Sequence, residues 1–390
     1  MVTLYVSGFI YGIGGQMWPP FWTLYILSLG ATLSQMGIVL SLRAALGAAL
    51  NLLGGLLSDK FGRKKLIVIP GYVTVLGYVV YTLANSWEQL ILGETIVALD
   101  SMRWASLQAL QAESVSIRDR AQAYAGFETA VSISGIIVPV IAGSIIESQG
   151  ILAGERTAFI VTIACVLIAN TIRAIYLHET LSPGERQDSG DRSIRESLGE
   201  RAKETINNKS LQAILISYSM RGFAAEAIRP LLVVYCVNYI RVSDTEIGII
   251  IGISTAAMMI SRIPVARFSD TYSRRTSMLI GGFMYPFWTI AFFIAPSFHW
   301  LILAAMIEPV ANSFAIPSRD AYIADNVPAY KRAGTFSIIL STISLATIPA
   351  PVVGATLWEA FGPAATFLLC TVLLAASSLI LLLYSDKERT

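Results

Sequence analysis

Charges set inside apolar runs are the residues here that can do chemistry. Glu94, Asp100 and Arg103 share one run, and Arg43 lies in an earlier one. Arg221, Glu226 and Arg229 share a later run, and Glu308 and Arg319 another. Single charges stand at Glu128, Arg173 and Arg262. A charge in hydrocarbon is costly and defaults to a functional role. Asp100 and Arg103, like Glu226 and Arg229, are three positions apart, which on a helix places each pair on one face. Each pair reads either as a neutralised structural ion pair or as a cavity pair that changes partners when substrate or a proton binds. Glu94 and Glu308 have no such local partner. A carboxylic acid drawn out of water favours its neutral form, so Glu94, Asp100, Glu226 and Glu308 are the candidates for carrying a coupled proton. Gln16, Trp18 and Trp22, with Arg43, Arg103 and Arg229, are the candidates for substrate contact. The two tryptophans also fit plain packing or an interface belt. Cys165, Cys236 and Cys370 lie in apolar runs as small buried residues, and His178 and His299 are far apart, so neither a metal site nor a cofactor is expected.

The elements that position these groups are membrane spans. The 390 residues are 55% hydrophobic and 14% charged, against roughly 25% charged in soluble proteins. About twelve segments have the roughly 20 mostly apolar residues that a spanning helix needs. The first six are near 4–27, 34–57, 66–84, 88–113, 121–146 and 156–178; the second six are near 210–238, 245–268, 277–296, 299–324, 333–357 and 363–384. The first run lacks a basic n-region and continues to about Leu29, so it is expected to stay as a span. Alternate loops hold nineteen of the 28 Lys and Arg residues and the opposite loops hold Arg156 and Arg241. That bias predicts cytoplasmic N- and C-termini in a multi-pass protein of the cell membrane. Residues 1–178 form one six-helix bundle and 210–390 a second. Between them, 179–209 is a cytoplasmic linker. Ser193 and Glu196 there read as a capping box, and Ile194, Leu198, Ala202 and Ile206 suit a short amphipathic helix on the membrane face; a solvated spacer is the alternative.

The most informative loop is Gly55-Leu-Leu-Ser-Asp-Lys-Phe-Gly-Arg-Lys-Lys65. It is short and basic, Gly62 supplies its turn, and Asp59 is a lone carboxylate beside four cations. It returns about 211 residues later as Ala266-Arg-Phe-Ser-Asp-Thr-Tyr-Ser-Arg-Arg-Thr276. Pro19 and Pro230, Gly37 and Gly248, Ala112-Glu113 and Ala324-Asp325, Arg120-Ala121 and Arg332-Ala333, and Pro139 and Pro351 repeat at offsets of 211 or 212. Six spans per copy make these parallel repeats.

On these residues the chain resembles the major facilitator superfamily over essentially its whole length. Gly55, Asp59, Lys60, Gly62, Arg63 and Lys64 match the family's loop signature between spans two and three. Glu113 with Arg120, and Asp325 with Arg332, match a second pattern of an acid ending one span and an arginine starting the next. Pro317–Pro328 is similar to a stretch of exporter-type members. Val138-Pro139-Val-Ile-Ala142-Gly143 departs from the family's antiporter pattern at two positions, and close packing through small residues explains it equally well.

The resemblance implies an all-α integral membrane fold of two pseudo-symmetric six-helix bundles. It implies that Asp59 meets the start of span eleven, around Ala333 and Gly334, and that Arg63 reaches Glu113. Asp270 would meet the start of span five, and Arg274 would reach Asp325. These contacts would latch the cytoplasmic side, worth about 1–3 kcal/mol each; the alternative is a topology signal alone. Pro19 and Pro230 would bend spans one and seven at matching points. Arg173, in an outer supporting span, would snorkel toward the cytoplasmic face. The expected function is secondary active transport by alternating access: a monomer, in the lipid bilayer, exporting a small amphipathic or drug-like solute in exchange for protons. Uptake of an organic anion with protons is the second reading, favoured by the arginines; a non-transporting sensor or scaffold is the third. No nucleophile–base or metal cluster points to an enzyme, and nothing points to nucleic acid.

Overall fold

In a computed structural model the described residues are 2–113, 120–179 and 208–384. They form helices and short connections, with no strand among them. The first six passes are α1 (Val2–Met17) with α2 (Trp22–Ser28), α3 (Leu33–Phe61), α4 (Arg63–Leu83), α5 (Trp87–Val97) with α6 (Ser101–Glu113), α7 (Arg120–Gln149) and α8 (Ile151–Tyr176). The second six are α9 (Lys209–Tyr235), α10 (Asp244–Thr271), α11 (Arg274–Phe293), α12 (Phe298–Asn326), α13 (Ala329–Thr347) with α14 (Ala350–Phe361), and α15 (Pro363–Tyr384). Ten passes contain stretches long and apolar enough to cross a membrane. The first, fourth and eleventh are interrupted, the eleventh by a turn at Ile348–Pro349 between α13 and α14. The linker helix expected around Ser193–Ile206 lies outside the described residues.

The interruptions have local causes. Pro19 and Pro20 remove two successive amide donors, and the chain closes there with Phe21 N donating to Trp18 O at 3.1 Å and Trp22 N to Pro19 O at 3.4 Å. Pro230, by contrast, sits inside α9, which runs on into a π-turn at Cys236–Ile240. The expected matching bends are therefore a break in one copy and a continuous helix in the other. The fourth pass tightens into a 3₁₀ turn at Ala98–Asp100; such mid-helix turns mark hinges and functional positions.

By backbone proximity the chain falls into two units, Met1–Asp188 with Arg241–Gly252, and Ser189–Ile240 with Ile253–Thr390. In the first, α1 packs on α7 and α8, α4 on α5, α6 and α8, and α3 on α6. Leu4, Ile67, Leu107, Leu110, Phe127 and Leu177 form a buried cluster. In the second, α9 packs on α13, α14 and α15, and α11 on α12 and α15. Lipid offers no hydrophobic drive between helices, so contact depends on close van der Waals approach. A Cβ on Gly54 would sit 2.4 Å from Met102 O, and one on Gly354 would sit 2.1 Å from Ala227 O. Within the first unit Gly143 lies against the backbone of Asp244, and Gly248 against Pro139 O. Close packing thus accounts for the small residues around Pro139.

The α3–α4 turn explains its glycine. Gly62 has φ +95°, and its N–H donates to Ser58 O at 3.0 Å. The carboxylate of Glu179 enters the same turn and accepts from the amides of Arg63 (3.0 Å) and Lys64 (3.2 Å), capping the positive end of α4. A Cβ at position 62 would lie 2.4 Å from Glu179 Oε2. In the second copy Ser273 has φ −175°, extended backbone open to any residue, so this turn needs no glycine.

Candidate functional site

Each unit gathers several of its intramembrane charges into a network. In the first, α5 carries Glu94 with no exposed atom. Arg43, on α3, brings Nη1 to 3.6 Å from Glu94 Oε1, with its own side chain 39% exposed. That is ion-pair range without a formed hydrogen bond, and neither carboxylate oxygen has one. The walls are aromatic: Trp18 and Trp22 from the proline break, Tyr78 and Tyr81 from α4, Phe159 from α8. Ring centroids are 5.2 Å apart for Trp18–Trp22 and 4.6 Å for Trp22–Tyr81. The Arg43 guanidinium lies 4.8 Å from the Trp18 ring, within cation–π range. The indole N–H groups of both tryptophans and the Tyr81 hydroxyl make no hydrogen bond. A carboxylate, a partly exposed cation and three unpaired donors converge on one aromatic-walled place.

Six residues further along, at the 3₁₀ interruption, Asp100 Oδ2 accepts from Arg103 Nη2 at 2.7 Å and from the Tyr11 hydroxyl at 2.8 Å. The Tyr11 ring stands between two guanidiniums, Arg103 at 4.0 Å and Arg173 at 5.4 Å. Arg173 is 1% exposed and donates from Nε to Ser7 Oγ at 3.0 Å. It does not snorkel: α1 covers the α8 face that carries it. Glu155, just before the sixth span expected from the sequence, is inside α8 with no exposed atom and both oxygens without hydrogen bonds.

In the second unit Arg229, on α9, pairs with Glu226 and donates from Nη2 to Glu308 Oε1 at 3.0 Å. Asn312, one turn below Glu308 on α12, donates to the same oxygen at 2.6 Å and accepts from the Tyr285 hydroxyl of α11 at 2.5 Å. The i,i+3 pairing of Glu226 with Arg229 was legible; Glu308, Asn312 and Tyr285 join it only through tertiary packing. Glu94 and Glu308, lone in sequence, each have an arginine from another pass. Gln16 is partly buried and stands outside both networks.

Of the loop residues, Arg274 Nε lies 3.7 Å from Asp325 Oδ2, and Arg274 also pairs with Asp270. Arg332 Nε donates to Val327 O at 2.9 Å, holding a carbonyl at the end of α12. The side chains of Gly55, Asp59, Glu113, Arg120, Ala333 and Gly334 lie outside the description.

The sequence matches the Major Facilitator Superfamily over residues 4–212 and 214–390. It is 24% identical to the uncharacterised MFS-type transporter MJ1317 of Methanocaldococcus jannaschii, across 96% of this chain and 92% of that one. It is 20% identical to a Na(+), Li(+), K(+)/H(+) antiporter of Planococcus maritimus, across 84% and 82%. Among solved structures it has the fold of the nucleoside transporter NupG, with TM-score 0.79, 15% identity and 98% of each chain covered.

Proposed function

Because this chain belongs to the Major Facilitator Superfamily, a family of transporters of small molecules across membranes, we propose that it is a proton-coupled antiporter exporting a small amphipathic, drug-like solute. One observation carries this reading: a wholly buried carboxylate, Glu94, is held only by a cation 3.6 Å away that is itself partly exposed. When Arg43 swings off, the anion left behind costs several kcal/mol unless a proton or another cation replaces it. Proton and solute then compete for one acid, which is the physical content of antiport. The aromatic walls suit a flat or cationic solute, since they supply contact area and ring faces. Glu226, Arg229 and Glu308 are the corresponding acid–base group of the second unit. Arg43, Arg103 and Arg229 each have a carboxylate partner, which weighs against a bare anion site and against organic-anion uptake.

The name of the Planococcus maritimus relative supports proton exchange and favours a second cargo reading, monovalent metal cations. The chain acts as a monomer in the cell membrane with both termini cytoplasmic, its basic loops latching the cytoplasmic side through Arg63 with Glu113 and Arg274 with Asp325.

Purified protein in vesicles enclosing a pH dye tests this. Adding a cationic dye under an imposed proton gradient is expected to drive proton movement, which Glu94→Gln abolishes while the weaker dye binding that remains no longer depends on pH. Proton uptake driven by an added organic anion, or unchanged coupling in Glu94→Gln, would reject the reading. Proton movement driven by sodium or potassium alone would select the metal-cation cargo.

A further inference from the structure

One buried arginine in the second unit has no acceptor among the described residues. Arg221, on α9, is 4% exposed, and its Nε, Nη1 and Nη2 make no hydrogen bond. Its guanidinium lies 4.5 Å from the Tyr218 ring and 4.8 Å from the Tyr285 ring. Both hydroxyls are committed elsewhere, Tyr218 to Ala315 O at 2.7 Å and Tyr285 to Asn312 Oδ1 at 2.5 Å. The rings therefore offer their faces, which attract a cation but leave its five N–H donors unmatched. On Tyr218 a second guanidinium, Arg319, stands 4.9 Å from the ring, and its charge is answered by Asp320 at 2.7 Å. Among the described residues Arg221 has no carboxylate beside it, whereas Arg229 has two, Glu226 and Glu308.

The first unit has a comparable arrangement with some acceptors in place, although Arg173 Nη1 and Arg103 Nε and Nη1 make no hydrogen bond. Tyr11 from the first pass stands between Arg103 of the fourth pass and Arg173, as Tyr218 of the seventh stands between Arg319 of the tenth and Arg221. There Asp100 answers Arg103, and Ser7 Oγ and O lie 3.0 and 3.5 Å from Arg173. Arg221 has neither a carboxylate nor a hydroxyl in that role. What stands beside it is glycine: a Cβ on Gly282 would come within 2.9 Å of Arg221 Nη2 and 3.1 Å of Ser378 Oγ.

We propose that Arg221 holds a small monovalent inorganic anion, chloride being the commonest, in the core of the second unit between Tyr218 and Tyr285. An anion there pairs with a buried guanidinium that has no carboxylate and accepts from several N–H groups at once, as unmatched buried donors require. Near-complete burial of the guanidinium excludes a bulky organic anion.

The test uses full-length protein in detergent at fixed pH and sodium concentration, with chloride replaced stepwise by gluconate and unfolding followed by tryptophan fluorescence. Tm is expected to rise with chloride along a saturating curve, bromide and nitrate to reproduce it, and Arg221→Met to lose it. Arg262→Met, an exposed arginine of α10, should keep it. Gly282→Ala, which presses on Nη2, should raise the chloride midpoint about tenfold, the change that losing one charged hydrogen bond brings. A wild-type Tm indifferent to chloride overturns the proposal, as does a dependence that survives Arg221→Met. Should Arg221→Met fail to fold, an unshifted midpoint in Gly282→Ala overturns it equally.

Discussion

Glu94 and Arg43 depend on each other unequally. The acid is sealed and the cation is 39% exposed, so removing the cation strands a charge, whereas removing the acid leaves an arginine that can turn toward water. Arg43→Met is therefore expected to cost about 3 kcal/mol in chemical unfolding, and Glu94→Gln less. The double variant Arg43→Met with Glu94→Gln should recover most of the loss. Additive costs across that cycle would mean that the two groups do not interact. The acid itself was legible, because a carboxylate in an apolar run stands out. Its partner was not, since helix spacing reveals only neighbours three or four positions away and Arg43 is on a different pass. Tyr11, Tyr285 and Asn312 were invisible for another reason: a neutral polar residue in a membrane segment carries no signal until packing shows what it touches. Arg173 was misread because its position near a span end suits snorkelling, and only the cover by α1 rules that out.

At the scale of elements, the α3–α4 turn concentrates the constraints. Gly62→Ala must hold φ near +95° against its Cβ and displace the Glu179 carboxylate, so a loss of about 1–3 kcal/mol is expected. Ser273→Ala in the related turn should be nearly neutral, with both read as shifts in thermal unfolding. Glu179→Ala should cost about 0.5–2 kcal/mol, visible as faster hydrogen exchange at the amides of Arg63 and Lys64; unchanged exchange would deny the cap a role. The twelve passes were legible because hydropathy and length determine them. The proline break in the first could be placed in advance, though it was expected as a bend. The 3₁₀ turn at Ala98–Asp100 could not, since Ala-Leu-Asp contains neither proline nor glycine and the turn arises from packing. Glu179 was missed because a cap 116 residues from its helix has no local pattern.

Over the whole molecule, two copies of one six-pass plan carry different chemistry: an aromatic-walled acid in the first and an open-chain acid–base group in the second. Duplication made the architecture legible, and divergence hid the site. The proposed latch belongs to this scale. Arg274→Asp is expected to slow transport in vesicles, and adding Asp325→Arg should restore part of the rate; no recovery in properly inserted protein would leave the loop as a topology signal. Orientation is testable in cells: a cysteine replacing Lys60 should react with an impermeant maleimide only after the membrane is opened, and one replacing Ser297 should react in intact cells. One feature of the first unit also gives the molecule an optical signature. Trp18 and Trp22, two of seven tryptophans, stand 5.2 Å apart with rings at 83°. Electronic transitions that close mix, so the near-ultraviolet circular dichroism should contain a paired positive and negative band that Trp22→Phe removes. Because Arg43 and Glu94 border the same rings, that band is a built-in, label-free gauge of what occupies the acid.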